Sequence, residues 1–589
     1  MEIGEKNMLQ TIIMKNSYQD SVVLMLLTSK LNQLDEVTRV SIMMGTPANI
    51  DIFKASGFDT KELDEATSND MVVMLEVASE DDKEQVLSMI NEELSSTSDG
   101  EGEVEDKINS WGKALKKAPD ANVALISIPG DYAALEIEQA IDHGLHAFVF
   151  SDNIPLKEEA RLKQKAHDKG LLVMGPDCGT GVIHDLPLAF TNNNRKGRIG
   201  VIGASGTGIQ EVTTLIHRYG QGVTNAIGTG GRDLSTEVGA ISMIDSIVAL
   251  NEDVETDVIV VISKPPAKEI ETKVLNVLRK VDKPVVTLFL GSKPEVHEEG
   301  LYHAYTLEEA AQLATKLMNK EAVVYTPAPV KEIPLSTTAK GIKGYYSGGT
   351  LAYEAAFLLQ DALSLEGNDT PEGYTLKAGS HEVIDLGDDM YTKGKPHPMI
   401  DPEIRIEKIK SVIEDNDTAV VVFDVVLGYG AHEDMATALK PAIEKGIKES
   451  DIRFVAVVVG TDEDHQNMAS QIAILEDMGV TVCENNVQAL RTALHVIGEN
   501  LTFNDKKVVA KKESTLTSLP KVQETLSTLI SGTPKIINIG LESFTQSILD
   551  NGGEVTHFEW RPSAGGNVHL QKILYFLNHF EFDVNQEVK

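Results

Sequence analysis

Twice in this chain a short apolar run ends in a glycine-rich turn that opens a helix. The first is Gly203-Ala204-Ser205-Gly206-Thr207-Gly208-Ile209-Gln210-Glu211, the second Tyr346-Ser347-Gly348-Gly349-Thr350-Leu351-Ala352-Tyr353-Glu354. Each supplies small residues where backbone must approach closely, Ser and Thr hydroxyls, and first-turn N–H groups aimed at one point. Such a point attracts phosphate or carboxylate. One helix terminus contributes only about 0.3–1 kcal/mol, so a working anion site needs several N–H bonds or two converging helices. Taken alone, either turn reads equally as a tight strand-to-helix connection without a ligand. Two of one design favour a paired cradle: Ser205, Gly206, Thr207 and Gly208 for one anionic group, and Ser347, Gly348, Gly349 and Thr350 for another, or for the opposite side of the same one.

Length and charge limit the setting. At 589 residues the chain exceeds one core and divides into roughly four domains. Its 53 Lys and Arg against 90 Asp and Glu give a formal charge of -37, which argues against nucleic acid or an anionic membrane as the main partner. Cys178 and Cys483 lie far apart and fit neither a metal site nor a disulfide framework, so a reducing cytoplasm is the simplest reading. The sequence lacks a signal-like start and an uninterrupted apolar span, so a cytoplasmic protein is expected.

The pattern along the chain is α/β. Residues 1–98 alternate strand-like and helix-like segments, a small α+β module of ferredoxin-like order. An acidic linker at 99–112 follows. Continuous apolar strands with helical crossovers then predict parallel sheets covered on both faces, at 113–193 and again at 194–325. A Pro-containing linker at 326–340 leads to a third such unit at 341–500. A Lys- and Ser/Thr-rich linker at 501–520 precedes a short docking segment at 521–589.

Gly175-Pro176-Asp177-Cys178, Ser205-Gly206-Thr207 and Gly228-Thr229-Gly230-Gly231-Arg232-Asp233 make 113–320 similar to the α subunit of succinyl-CoA synthetase. Asp385-Leu386-Gly387 and Phe423-Asp424-Val425-Val426-Leu427-Gly428-Tyr429-Gly430 make 341–497 resemble the ligase domain of its β subunit. Lys15-Asn16-Ser17-Tyr18-Gln19-Asp20 and Met43-Met44-Gly45-Thr46 are similar to the FdrA branch specifically. The resemblance implies tandem doubly wound parallel-sheet domains, Rossmann-like and flavodoxin-like, with a CoA-binding-like Rossmann domain at 113–193 and ligase-like α/β domains at 194–325 and 341–500.

One departure redirects the functional reading. The synthetases pass phosphate through a histidine in a G-H-A-G-A loop, whereas here Gly291-Ser292-Lys293-Pro294-Glu295-Val296-His297 runs almost directly into Tyr302-His303. The loop is deleted, His297 and His303 read as structural, and a nucleotide-binding ATP-grasp domain is absent. For the FdrA branch the resemblance implies a part in oxamate carbamoyltransferase, which exchanges a carbamoyl group between oxalurate and phosphate in anaerobic allantoin breakdown. That chemistry needs orientation and electrostatic stabilisation but no metal, cofactor or covalent intermediate.

Further candidates follow from that reading. Gly428, Tyr429, Gly430 and Ala431 would form a third N–H-rich turn, with His432 polarising a carbamoyl oxygen or merely capping a helix. His397 lies in a proline-stiffened loop within reach of the site. Arg232 and Arg405 suit a bidentate carboxylate, though a structural ion pair explains either one. Lys264 could contact phosphate from a strand end. Expected partners are carbamoyl phosphate, oxamate or oxalurate, phosphate and companion subunits in an oligomer. Two alternatives stand beside it: an acyl-CoA synthetase with an altered phosphate relay, and a non-catalytic assembly subunit.

Overall fold

The computed structural model describes residues 8–34, 36–96, 108–336, 338–365, 370–393 and 395–579. Their strands form four sheets. In the first, Met8–Met14 and Val37–Met44 flank Met71–Val77, both antiparallel. With helices Ser21–Leu31 and Glu80–Ser96 this is the mixed module expected at the start. The second helix runs almost to the expected end of the module at residue 98, and the expected 99–112 linker lies largely outside the described residues.

Two remote pieces of chain build the next sheet. Val123–Ser127, His146–Val149 and Val173–Met174 run parallel, and Lys535–Gly540 with Glu554–Phe558 extend the sheet on the other side of Val123–Ser127. The 521–589 segment therefore supplies an interior strand rather than a peripheral dock. Its apolar Ile536, Ile537 and Ile539 are fully or almost fully buried, which is why the segment cannot stand apart. Glu136 fixes the junction: it accepts from Trp111 Nε1 at 2.6 Å and from Trp560 Nε1 at 2.9 Å.

A nine-stranded sheet comes next, and its boundary differs from the expected 193/194 division. The Thr180–Ile183 and Leu186–Ala189 hairpin leaves the preceding unit and pairs antiparallel with Val223–Gly228. At the far edge Lys507–Val509, inside the expected 501–520 linker, pairs with Val296–Glu298. The third α/β unit carries six strands around Gly341–Tyr346 and Thr418–Val426.

Both glycine-rich turns sit where their sheets change direction. Lys196–Ala204 lies between Val223–Gly228 and Val258–Ser263, and Gly341–Tyr346 between His381–Asp385 and Thr418–Val426. In each case the chain winds to one side and then returns to the other, leaving a crevice at the carboxyl end of the central strand. The helices that follow, Gly206–Arg218 and Gly349–Leu363, pack against each other. Their first turns thus meet between the two sheets.

Candidate functional site: two helix starts and an acid-lined cleft

Local chemistry fixes each helix start. Ser205, the residue before the first helix, accepts the Gly208 N–H at 3.1 Å and meets the Thr350 hydroxyl. Thr207 Oγ1 accepts the Thr350 N–H at 3.2 Å. An alanine at 208 would drive its Cβ to 2.7 Å from Ser205 Oγ, so glycine is what lets the two turns close on one another. Helix geometry leaves the N–H groups of Gly206, Thr207 and Gly349 without an i−4 acceptor, and all three residues are partly exposed.

Five of the residues expected to donate to an anion donate to the chain itself. Ser347 donates from N–H and Oγ to Asp424 Oδ1 at 2.8 and 2.9 Å, and the Gly348 N–H donates to Asp424 Oδ2 at 2.8 Å. The carboxylate in that cradle comes from the neighbouring strand. Gly428 N–H donates to Gln466 Oε1 at 3.0 Å and Tyr429 N–H to Thr191 O at 2.9 Å. Ala431 N–H closes its own turn on Gly428 O, so the 428–431 turn is a domain joint and not a third anion site.

The arginines divide similarly. Arg405 is 1% exposed and donates through Nη2 to the backbone oxygen of Asp424, with Oδ1 3.4 Å away. It braces Asp424 and is out of reach of a substrate carboxylate. Arg232 is held by Glu159 Oε2 at 2.8 Å and Ile154 O at 2.8 Å, but its side chain remains 40% exposed.

Of the two histidines, His397 reaches the site. Its Nδ1 accepts the Met399 N–H at 3.2 Å, which assigns the ring proton to Nε2. Nε2 stands 2.6 Å from where a Gly387 Cβ would be, and Ser347 O lies 3.0 Å from the same point. Desolvation, with Arg405 adding, lowers its pKa to about 4. The ring is therefore a neutral hydrogen-bond donor near pH 7. His432 instead accepts the Asp434 N–H at 2.9 Å and shapes its own turn.

Three domains add charge around the helix starts. Lys264 Nζ lies 5.3 Å from the Tyr353 ring, one turn along the second helix from Gly349. A Cβ on Gly349 would fall 2.4 Å from Asp385 Oδ2, and one on Gly231 would fall 3.3 Å from Asp177 Oδ2. Desolvation raises Asp385 to about 6 against the pull of Lys264. Asp177 is exposed at the cleft, yet desolvation by the groups packed around its carboxyl raises it to about 6, against Lys264 and with Asp152 adding. Phe150, Phe190 and Phe544 form an apolar wall with centroids 4.9–5.9 Å apart, and Phe190 lies 6.3 Å from the His397 ring.

Sequence reasoning passed over Asp177, Asp385 and Asp424 as site chemistry. One signal was there: Asp424 is the single charge in the continuous apolar strand Thr418–Val426.

His297 and His303 are part of a sheet edge. His297 is 3% exposed and its Nδ1 accepts the His303 N–H at 3.0 Å. His303 Nδ1 pairs with Thr287 Oγ1 at 2.9 Å.

Comparison with known proteins places this architecture. A family model described as CoA-ligase matches residues 345–496, one described as CoA binding domain matches 194–291, and one described as AllF, heavy metal-associated domain matches 7–109. The uncharacterized protein YahF of Escherichia coli (strain K12) is 39% identical over 495 residues, covering 81% of this chain and 96% of that one. The chain belongs to the YahF family.

Part of this YahF-family chain is similar to a subunit of succinate–CoA ligase. The α subunit of the ADP-forming succinate–CoA ligase of Aquifex aeolicus (strain VF5) is 31% identical over 187 residues, covering 30% of this chain and 59% of that subunit. A solved dinucleotide-forming acetyl-coenzyme A synthetase 1 from Ca. Korarchaeum cryptofilum aligns over 64% of this chain and 82% of that one, with 15% identity and a TM-score of 0.27. The CoA-binding match falls on 194–291, where the sequence reading placed a ligase-like half, and not on 113–193.

The first module lacks the thiolate and imidazole ligands of a heavy-metal site. Positions 7–109 contain neither Cys nor His, so methionine thioether is the one soft donor type there. The turn after Met8–Met14, at Lys15 and Asn16, is instead held by Asp70, through ion pairing to Lys15 Nζ at 3.1 Å and acceptance of the Asn16 N–H at 2.9 Å. Among the described residues no group of three or more His, Cys, Asp and Glu could hold a metal, and no helix is long and apolar enough to cross a membrane.

Proposed function

We propose that this YahF-family chain is a subunit of an oxamate carbamoyltransferase. The reading is carried by the meeting of two helix starts, Gly206–Thr207 and Gly349, beside Lys264. These donors bind the phosphoryl group of carbamoyl phosphate. In the direction of oxalurate synthesis the oxamate nitrogen attacks the carbamoyl carbon, the C–O bond to phosphate breaks, and phosphate leaves with that electron pair. The nitrogen proton passes to Asp385 or Asp177, whose raised pKa values suit transfer near neutral pH. Neutral His397 donates from Nε2 to the developing oxyanion, and Arg232 receives the oxamate carboxylate. The match to an AllF domain at 7–109 supports the link to allantoin breakdown.

The test is the phosphorus NMR signal of carbamoyl phosphate with and without oxamate, for the chain alone and with its genomic neighbours. Oxamate-dependent phosphate release supports the reading; its absence in both preparations removes it.

A second reading has its own support. The CoA-binding and CoA-ligase matches at 194–291 and 345–496 favour an acid–thiol ligase with an altered phosphate relay. That reading requires CoA binding, measurable by calorimetry, and acyl-CoA formation from ATP.

A further inference from the structure

The helix Leu156–Asp168, which belongs to the unit built on Val123–Ser127, sends two buried charges into the loop that follows Val223–Gly228 in the next sheet. Lys163 is 1% exposed, and its Nζ donates to Thr229 O at 2.8 Å and to Asp233 Oδ1 at 2.7 Å. Asp233 Oδ2 in turn accepts the Met243 N–H at 2.9 Å, at the start of the following helix. These bonds anchor the loop.

Glu159 is not needed for that anchor. It lies one turn back on the same face of the helix and is also 1% exposed. Its Oε1 is 3.1 Å from Lys163 Nζ and its Oε2 is 2.8 Å from Arg232 Nη2. Both are ion pairs by distance, yet neither oxygen accepts an aligned hydrogen bond among the described residues. A buried carboxylate held this way is costly, and such a group calls for an explanation. Lys163 already has Asp233 and Thr229 O, so what Glu159 adds is a hold on Arg232.

Arg232 stands at the cleft. Its side chain is 40% exposed, and its charge opposes the rise in pKa at both Asp177 and Asp152. Glu159 and Ile154 O both act on Nη2, the latter at 2.8 Å. Among the described residues Nη1 and Nε have no hydrogen-bond partner, so those N–H groups stay free to donate to a ligand oxygen.

We propose that Glu159 is a positioning residue, which fixes Arg232 so that its Nη1 and Nε receive a small carboxylate ligand. A helix of one domain thereby sets the carboxylate specificity of a cleft formed by others. The inference rests on the carbamoyl-transfer reading only for the identity of that ligand, oxamate.

Calorimetric titration of the full chain with oxamate, in the presence of inorganic phosphate, tests this. Glu159→Asp keeps the charge beside Lys163 but draws the carboxylate away from Arg232 by one methylene. Wild type should bind oxamate, Glu159→Asp should weaken binding about tenfold by freeing a rotamer-rich side chain, and Arg232→Met should weaken it about a hundredfold. Phosphate affinity should be the same in all three, which also shows that the variants are folded. Added to Arg232→Met, Glu159→Asp should change nothing further, the mark of a residue that acts through Arg232. No oxamate binding by wild type, binding indifferent to either substitution, or a Glu159→Asp loss that persists in full beside Arg232→Met would each overturn the inference. Oxamate binding that follows this pattern without turnover of carbamoyl phosphate would support the site and remove the carbamoyl-transfer reading; oxamate-dependent turnover with wild-type oxamate affinity in Glu159→Asp would do the reverse.

Discussion

The Thr350 N–H donates to Thr207 Oγ1 across 3.2 Å, joining the first turns of two helices that belong to different sheets. Neither turn is complete alone. Each borrows a group from the other, so the cleft above them exists only while the two α/β units are docked.

Thr207→Val keeps the shape and removes the acceptor. Activity should fall about a hundredfold or more through misplacement of the Gly349 N–H, while thermal stability drops by only about 1 kcal/mol. Steady-state rates and a melting curve on the same preparation check this. Undiminished activity would mean that the junction is only structural.

Lys264→Met removes the cation near Asp177 and Asp385. Both carboxyls should then titrate higher than about 6, because Lys264 holds them down. The acid limb of the pH–rate profile should move to higher pH, and the KM for carbamoyl phosphate should rise about tenfold or more. A raised KM with an unmoved limb would remove both acids from proton transfer.

How much of this was legible beforehand depended on how local each feature is. Strands such as Val258–Ser263 and Thr418–Val426 are continuous apolar runs and declare themselves. The Gly turns also declared themselves, because small residues between a strand and a helix are a local signature. Pairing is not local: the burial of Lys535–Gly540 beside Val123–Ser127, and the crossing of the Thr180–Ile183 hairpin to the next sheet, depend on contacts remote in sequence. Asp424 shows the same limit at the site. Its sequence position announces a buried charge, but only the fold reveals that it fills the Ser347–Gly348 cradle.

Glu211 and Glu354, at the same place in the two repeated turns, are buried with Asn486 between them. Burial, with Glu354 adding, pushes Glu211 up to about 8, and burial pushes Glu354 up to about 7. A carboxyl with a raised folded pKa gives stability that is complete below its unfolded pKa and is lost as pH rises through the folded value. Wild type and Glu211→Gln should melt alike near pH 4, and the variant should be more stable by roughly 2–4 kcal/mol at pH 9. Parallel curves across that range would contradict the burial of this acid.

Trp560→Phe leaves Glu136 with one indole donor instead of two. The buried carboxylate then lacks part of its solvation, at about 1–3 kcal/mol. Chemical denaturation should show that loss, with early proteolysis after residue 520. An unchanged midpoint would mean that the tail is held by strand pairing alone.

The most direct measurement follows carbamoyl phosphate by phosphorus NMR, using the chain together with its genomic partners, as wild type and as Thr207→Val. The account expects oxamate-dependent conversion to phosphate in the wild type and its near-complete loss in the folded variant. Conversion that does not depend on oxamate, or that survives in the variant at the wild-type rate, would contradict it.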